Sequence, residues 1–261
     1  MRVIRPIISL AIFLVYCGTS SAADEFPLRA KYKDVPVIST SALYQAYDKA
    51  VIVDVRSRFE YDVVHMQNAK LNPVSTVLFT SRLQKLRPMQ SEKKLVFYCN
   101  GHTCSKSYKA ARKAIKAGYK NVYAYDAGIF AWIKAHPEKG TLLNKTPVAL
   151  EKIIQKQQLQ QHLLRYKEFI DKAKRGDAVV IDIRDPIQRH VKLPLKSRNI
   201  HLDKLKSKLI VGLWKDKDIY IYDAVGKQVR WLQYYLELHG YKNYYFLQNG
   251  ASSASEFVAR Q

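Results

Sequence analysis

The chain reads as an α/β protein made of two tandem units, each a parallel sheet flanked by helices. Three observations predict this. Short β-branched and aromatic runs alternate with amphipathic stretches along the chain, the pattern of parallel strands joined by helical crossovers. The features also repeat in order. Ala50-Val51-Ile52-Val53-Asp54-Val55-Arg56 returns as Ala178-Val179-Val180-Ile181-Asp182-Ile183-Arg184, and Gly118-Tyr119-Lys120-Asn121 returns as Gly240-Tyr241-Lys242-Asn243, with Gly128 echoed by Gly250. A repeat this long indicates tandem domains rather than a solenoid. Finally, the apolar run 95–98 ends in Cys99, a short polar loop follows, and a helical pattern begins. That order puts a thiol at the carboxyl end of a buried strand, where ligands collect in open α/β sheets.

The elements follow in order. Residues 1–23 are expected to be a secretion signal: Arg2 and Arg5 give a charged start, 7–16 is apolar, and 18–23 are small. Cleavage is expected near Ala22 or Ala23, placing the chain in the periplasm or outside the cell. The apolar run is short for a membrane span, and bulky Tyr16 argues against lipid attachment at Cys17. The first unit is placed at 30–137, with helices over 41–49, 74–83, 105–117 and 129–135 and strands over 51–54, 95–98 and 122–125. Residues 138–161 are rich in Lys and Gln and lack a strand pattern, so they read as a linker that becomes a helix. The second unit is placed at 162–261, with helices over 163–174, 202–206 and 228–239 and strands over 179–182, 219–222 and 244–247.

Composition narrows the function. Hydrophobic residues make up 48% of the 261, enough for real cores, and the formal net charge is +22. Lys and Arg are scattered rather than blocked, which describes a soluble surface. An anionic surface is the partner class such a charge attracts. No groove-reading element or aromatic platform is present, so a nucleic-acid role is not expected. The 18 tyrosines fall in strand and helix patterns and read as core.

The chemistry concentrates at Cys99-Asn100-Gly101-His102-Thr103-Cys104-Ser105. Free backbone N–H groups and a helix dipole favour a thiolate at this position. Gly101 permits a tight turn. Asn100, Thr103, Ser105 and Ser107 can donate hydrogen bonds, and His102, Lys106 and Lys109 can add positive charge. Cys99 is the expected nucleophile and Cys104 its resolving partner, with the reverse assignment left open. A disulfide between them would close a very small loop and gain little entropy, so the pair reads as reactive rather than structural. Cys99, His102 and Cys104, even with His65, fall short of a closed metal site, and neither metal nor other cofactor is expected. Asp54 and Arg56 recur as Asp182 and Arg184 in the half that lacks a thiol, so they read as structural supports. His65 reads as a loop-bonding histidine and Trp132 as core.

Both halves resemble rhodanese (sulfurtransferase) domains. Asp54-Val55-Arg56-Ser57 with Glu60-Tyr61 resembles the family's early strand and turn. His65-Met66-Gln67-Asn68-Ala69 resembles its Gly-His-Ile segment, with Val64 where Gly is usual. The strand into Cys99, and the stretch from Gly118-Tyr119 to Gly128-Ile129 and Trp132, complete the likeness over roughly 36–136. The second match, roughly 160–258, is weaker. Its strand-end residue is Asp223, and its path to the next Gly-Tyr pair is two residues shorter. Members with a Cys-x-Gly-x-x-Cys-x-x-Ser loop are similarly lengthened. The resemblance implies sulfur taken from thiosulfate or another sulfane donor, held as a persulfide on Cys99, and passed to a thiol or cyanide. It implies a catalytically dead second domain that completes the cleft, with Lys227, Arg230 and Tyr234 as exposed candidates. The alternatives are a redox protein using the Cys99/Cys104 pair and a non-catalytic binding module.

Overall fold

The computed structural model describes residues 26–258. The expected secretion signal lies outside the described residues. The first unit comprises α1 (Thr40–Ala46), β1 (Val51–Asp54), α2 (Arg58–Val63), β2 (Val64–Met66), β3 (Lys70–Leu71), α3 (Phe79–Leu86), β4 (Leu95–Tyr98), α4 (Lys106–Lys116), β5 (Val122–Tyr125), α5 (Gly128–Ala135) and β6 (Gly140–Leu142). The second comprises α6 (Lys156–Gln161), β7 (Leu163–Leu164), α7 (Tyr166–Ala173), β8 (Val179–Asp182), β9 (Arg198–Asn199), α8 (Leu202–Ile210), β10 (Ile219–Tyr222), α9 (Val229–Leu238), β11 (Tyr244–Leu247) and α10 (Ser253–Val258).

Each unit has its own parallel sheet. The strand orders are β3-β1-β4-β5 and β7-β11-β10-β8-β9, so the second repeats the first and adds β7 at one edge. At the matching edge of the first sheet, a single parallel bridge joins Val37 to Ala124. Strand residues alternate between two apolar layers, as a two-residue period requires. Val53, Leu95 and Phe97 face a cluster within the first unit. Ile52, Val96 and Tyr98 face the other way, into a cluster that continues through Val179, Ile181, Ile219 and Ile221 of the second. Burial on both faces is why these strands are uninterrupted apolar runs. One shared core thus joins the units, with Phe59 packed on Tyr235 at 5.2 Å and Phe130 stacked on Trp231 at 5.6 Å.

Several elements differ from expectation. The helix expected over 163–174 divides into β7 and α7. Leu163 and Leu164 pair in parallel with Phe246 and Leu247, because β11 would otherwise present an open edge. The helix expected from 74 begins at Phe79: Val74 instead donates to the Val55 carbonyl, and Thr76 closes a turn on Pro73. α8 runs on to Ile210, beyond the expected end at 206. The segment read as a strandless linker contains β6, which pairs antiparallel with β2. The first unit's framework therefore extends past residue 137.

The tightest backbone approach is at Gly128, where α5 begins. Its φ is +77°, and a Cβ there would lie 2.3 Å from the Gly101 nitrogen. Gly128→Ala is expected to destabilise the protein by about 2–4 kcal/mol, because backbone on both sides must move. Gly176→Ala, with nothing within 4 Å of the added carbon, is expected to cost about 1 kcal/mol. Urea unfolding of the two variants checks the difference.

Candidate functional site

Buried β4 delivers Cys99 to its carboxyl end, where the side chain is 1% exposed. The Cys99 carbonyl accepts a hydrogen bond from the Ile129 N–H at 3.0 Å, so the start of α5 clamps the loop base. Gly101, at φ +142°, turns the chain, and the Cys104 N–H closes the turn on the Gly101 carbonyl at 2.8 Å. Cys99 and Cys104 are joined by a disulfide with a Cα–Cα separation of 6.3 Å. Ser105 then leads into α4. The cysteine pairing left open by the sequence is thus a bond, and both sulfurs are occupied in this form. Thr103 is exposed, the His102 ring packs tilted on Phe26 with centroids 4.3 Å apart, and Ser107 is buried. Phe26 belongs to a segment held by Arg29, which pairs with Asp126 at 2.8 Å.

The loop rests on a buried polar network. Arg56 and Asp54 form an ion pair at 2.6 Å with both side chains fully buried. Arg56 also donates to the Val64 carbonyl at 2.5 Å and to Asn100 Oδ1 at 3.1 Å. Asn100 Nδ2 donates to Glu60 Oε1 at 2.7 Å. Asn100 therefore spends both ends of its amide on support rather than donating toward the thiol, contrary to the sequence reading. Glu60, which is not among the expected site residues, joins the parts. It completes a capping box with Ser57 at the start of α2 and pairs with Lys106 at 3.6 Å. The Ser-x-x-Glu pattern at 57–60 carried that signal. His65 Nδ1 meets the Tyr61 carbonyl at 2.7 Å and its ring stacks on Tyr61. Burial pushes the His65 pKa below its usual value, against the Tyr61 hydrogen bond.

The second unit shows what this strand–loop–helix geometry accommodates. Asp223 occupies the position of Cys99 and is 3% exposed. Its carboxylate accepts from the Val225, Gly226 and Gln228 N–H groups. The loop is a cup of backbone donors, and here it is filled by its own residue's negative charge.

The second unit also closes over the first unit's network. The Trp231 ring lies 5.5 Å from the Arg56 guanidinium, as does the Tyr98 ring. Lys206 on α8 bonds Asp62 on α2 at 3.2 Å. Of the residues proposed to wall the cleft, Lys227 is exposed and Arg230 half-buried. Tyr234 is buried at 5% exposure, contrary to expectation, because its hydroxyl turns inward to accept from the Ile154 N–H.

Fold and site together define a tandem α/β protein with a single cysteine-bearing loop. Residues 39–135 and 165–256 each match the rhodanese-like domain family, and the chain belongs to that family. Over 93 residues it is 34% identical to the tRNA uridine(34) hydroxylase of Hamiltonella defensa, covering 34% of this chain and 25% of that protein. Over 95 residues it is 35% identical to the tRNA uridine(34) hydroxylase of Erwinia tasmaniensis, covering 35% of this chain and 26% of that one. The chain spans about a quarter of the length of these curated relatives. Among solved structures, thiosulfate sulfurtransferase from Pseudomonas aeruginosa aligns with 87% of this chain and 43% of its own, at 18% identity and a TM-score of 0.40. The BH2092 protein from Bacillus halodurans aligns with 51% and 94%, at 22% identity and a TM-score of 0.38.

Glu60 gives the network a pH dependence. Burial opposes its charge, but Lys106, Arg56 and the Asn100 and Ser57 hydrogen bonds outweigh this and hold its pKa below the usual glutamate value. The folded carboxyl therefore ionises more readily than the unfolded one. Its contribution to stability is present above about pH 4.3 and fades as pH falls toward the lower folded value. Urea midpoints measured from pH 7 to pH 3 should fall more steeply in the wild type than in Glu60→Gln.

Proposed function

We propose that the chain is an exported sulfurtransferase that carries sulfane sulfur as a persulfide on Cys99. The carrying observation is the cup of backbone amides, seen occupied by an anion at Asp223. A cysteine at the equivalent strand end, on a loop two residues longer, would place a thiolate or its persulfide at the same position before a helix start. Once the Cys99–Cys104 disulfide is reduced by an external thiol, the Cys99 thiolate attacks the outer sulfur of thiosulfate. That sulfur–sulfur bond breaks and sulfite leaves with the electron pair. A cyanide or thiolate acceptor then takes the terminal sulfur and Cys99 returns as thiolate. Asp54, Arg56, Glu60 and Asn100 hold the loop in place through their own hydrogen-bond network. Export rests on the leader-like residues 1–23 and accords with an oxidised cysteine pair.

A second reading, a thiol redox protein, is favoured by the disulfide itself. The two meet at Cys104. In the reduced protein its thiolate can attack the inner sulfur of the Cys99 persulfide, reform the disulfide and expel hydrosulfide.

Intact mass separates the readings. The reduced protein treated with thiosulfate should gain about one sulfur atom, removable by cyanide. Cys99→Ser should gain none, and Cys104→Ser should keep its sulfur at least as long as the wild type. Absence of any adduct in both wild type and Cys104→Ser, with two hydrogens lost from the wild type on mild oxidation, would sink the transferase reading in favour of redox cycling.

A further inference from the structure

A cavity of about 580 Å³ opens where the two units meet the segment joining them, a size typical of small-molecule sites. α5 contributes Phe130, the segment before α6 contributes Ile153, α6 contributes Leu159, and α9 contributes Arg230, Gln233 and Tyr234. The lining includes Lys134 and Lys156 as well, but no carboxylate.

Its polar groups are incompletely matched. Arg230 is half-buried, with its guanidinium 4.7 Å from the Trp231 ring and 5.5 Å from the Phe130 ring. It makes no hydrogen bond or ion pair among the described residues. A cation desolvated in this way is unfavourable without a contacting anion: burial lowers the Arg230 pKa, with Arg56 adding to this and the Tyr234 and Glu60 charges opposing it. The Tyr234 hydroxyl accepts from the Ile154 N–H at 3.2 Å but directs its own proton to no acceptor among the described residues. Burial pushes its pKa up to about 12, so that proton stays in place. Arg230 and Tyr234 stand four residues apart on α9 and so share a face. Between them, Gln233 is wholly buried, and its unpartnered carbonyl oxygen is an acceptor that takes no part in holding an anion. Two unspent donors beside an apolar wall, in a lining with three cations and no anion, describe one ligand chemistry.

We propose that this cavity binds an apolar carboxylate. The head group accepts from Arg230 and the Tyr234 hydroxyl, and the hydrocarbon body lies along Phe130, Ile153 and Leu159. The site differs from the cysteine loop, although α5 borders both: its first turn clamps Cys99 and its next residue, Phe130, walls the cavity.

Decanoate is the probe, titrated by calorimetry into the full chain lacking residues 1–23, at pH 7. Saturable binding to one site is expected, with a dissociation constant below about 1 mM. Arg230→Gln should weaken it about tenfold or more, and Ile154→Trp, which fills the cavity, should abolish it. Decyltrimethylammonium, equally apolar but cationic, should not bind. Cys99→Ser should bind decanoate as the wild type does, so failure of the sulfurtransferase reading leaves this one standing. The proposal is overturned if wild type does not bind decanoate, if the cationic probe binds as well, or if a folded Arg230→Gln binds undiminished. Should Arg230→Gln fail to fold, Ile154→Trp and the cationic probe still decide.

Discussion

The ion pair between Asp54 and Arg56 sets the terms for the first unit. Both side chains are fully buried, and buried charges are tolerated only where their remaining donors and acceptors are also met. Asp54 receives the Arg56 side chain and its backbone N–H. What Arg56 has left to donate fixes two other pieces of backbone. One is the Val64 carbonyl at the start of β2, and the other, through Asn100, is the first residue of the cysteine loop. Two aromatic faces, Tyr98 and Trp231, close the remaining approach to the guanidinium. Trp231 belongs to the second unit, so the pair's desolvation is completed by contact between the two units.

The repeat shows which part of this arrangement is general. Asp182 and Arg184 form the same pair at 2.8 Å. Arg184 sends its remaining donors to the Gln188 and Val191 carbonyls, within its own following segment. Neither of these bonds reaches the Asp223 loop. The pair is therefore a fold element in both units, and its link to a loop through Asn100 and Glu60 is particular to the unit with the cysteine. Asp223 differs in kind from Cys99 as well. A carboxylate that accepts its own loop amides leaves that cup without room for an exchangeable anion. The second unit's contribution lies instead in α9, whose Trp231 covers Arg56 and whose outer face borders the interdomain cavity.

How much was legible follows from how local each signal was. β4, β5 and the second unit's three central strands stand where their apolar runs stand, because burial on both sheet faces leaves a continuous signature. Leu163 and Leu164 were misread because two leucines before an amphipathic helix look like its first turn. Only the distant edge of β11 makes them a strand. β2 and β6 have three residues each and lie more than seventy positions apart, too short and too remote for any periodicity. Asp54 and Arg56 were readable as supports because the repeat printed them twice. Asn100 donates as its side chain allows, but to Glu60, because donor capacity is visible in sequence and donor direction is not. Tyr234 looked like an exposed tyrosine on a helix until Ile154 supplied the inward partner.

On the proposed sulfur-transfer reading, the disulfide gives the cysteine loop a direction of reaction. Cys99 is 1% exposed while Cys104 is only partly buried, so an external thiolate reaches the Cys104 sulfur first. Attack there forms a mixed disulfide on Cys104 and releases Cys99 as the leaving thiolate. Exchange is faster when the leaving thiol is the more acidic, and a strand end just before a helix start is the kind of place that makes a thiol acidic. Accessibility and leaving-group stability thus favour the same sulfur–sulfur cleavage. A second thiol frees Cys104, and the anion left at Cys99 is the species that sulfur transfer needs. The short Cys99–Cys104 loop adds little to global stability by constraining the unfolded chain. Its consequence lies in deciding when the thiolate is available.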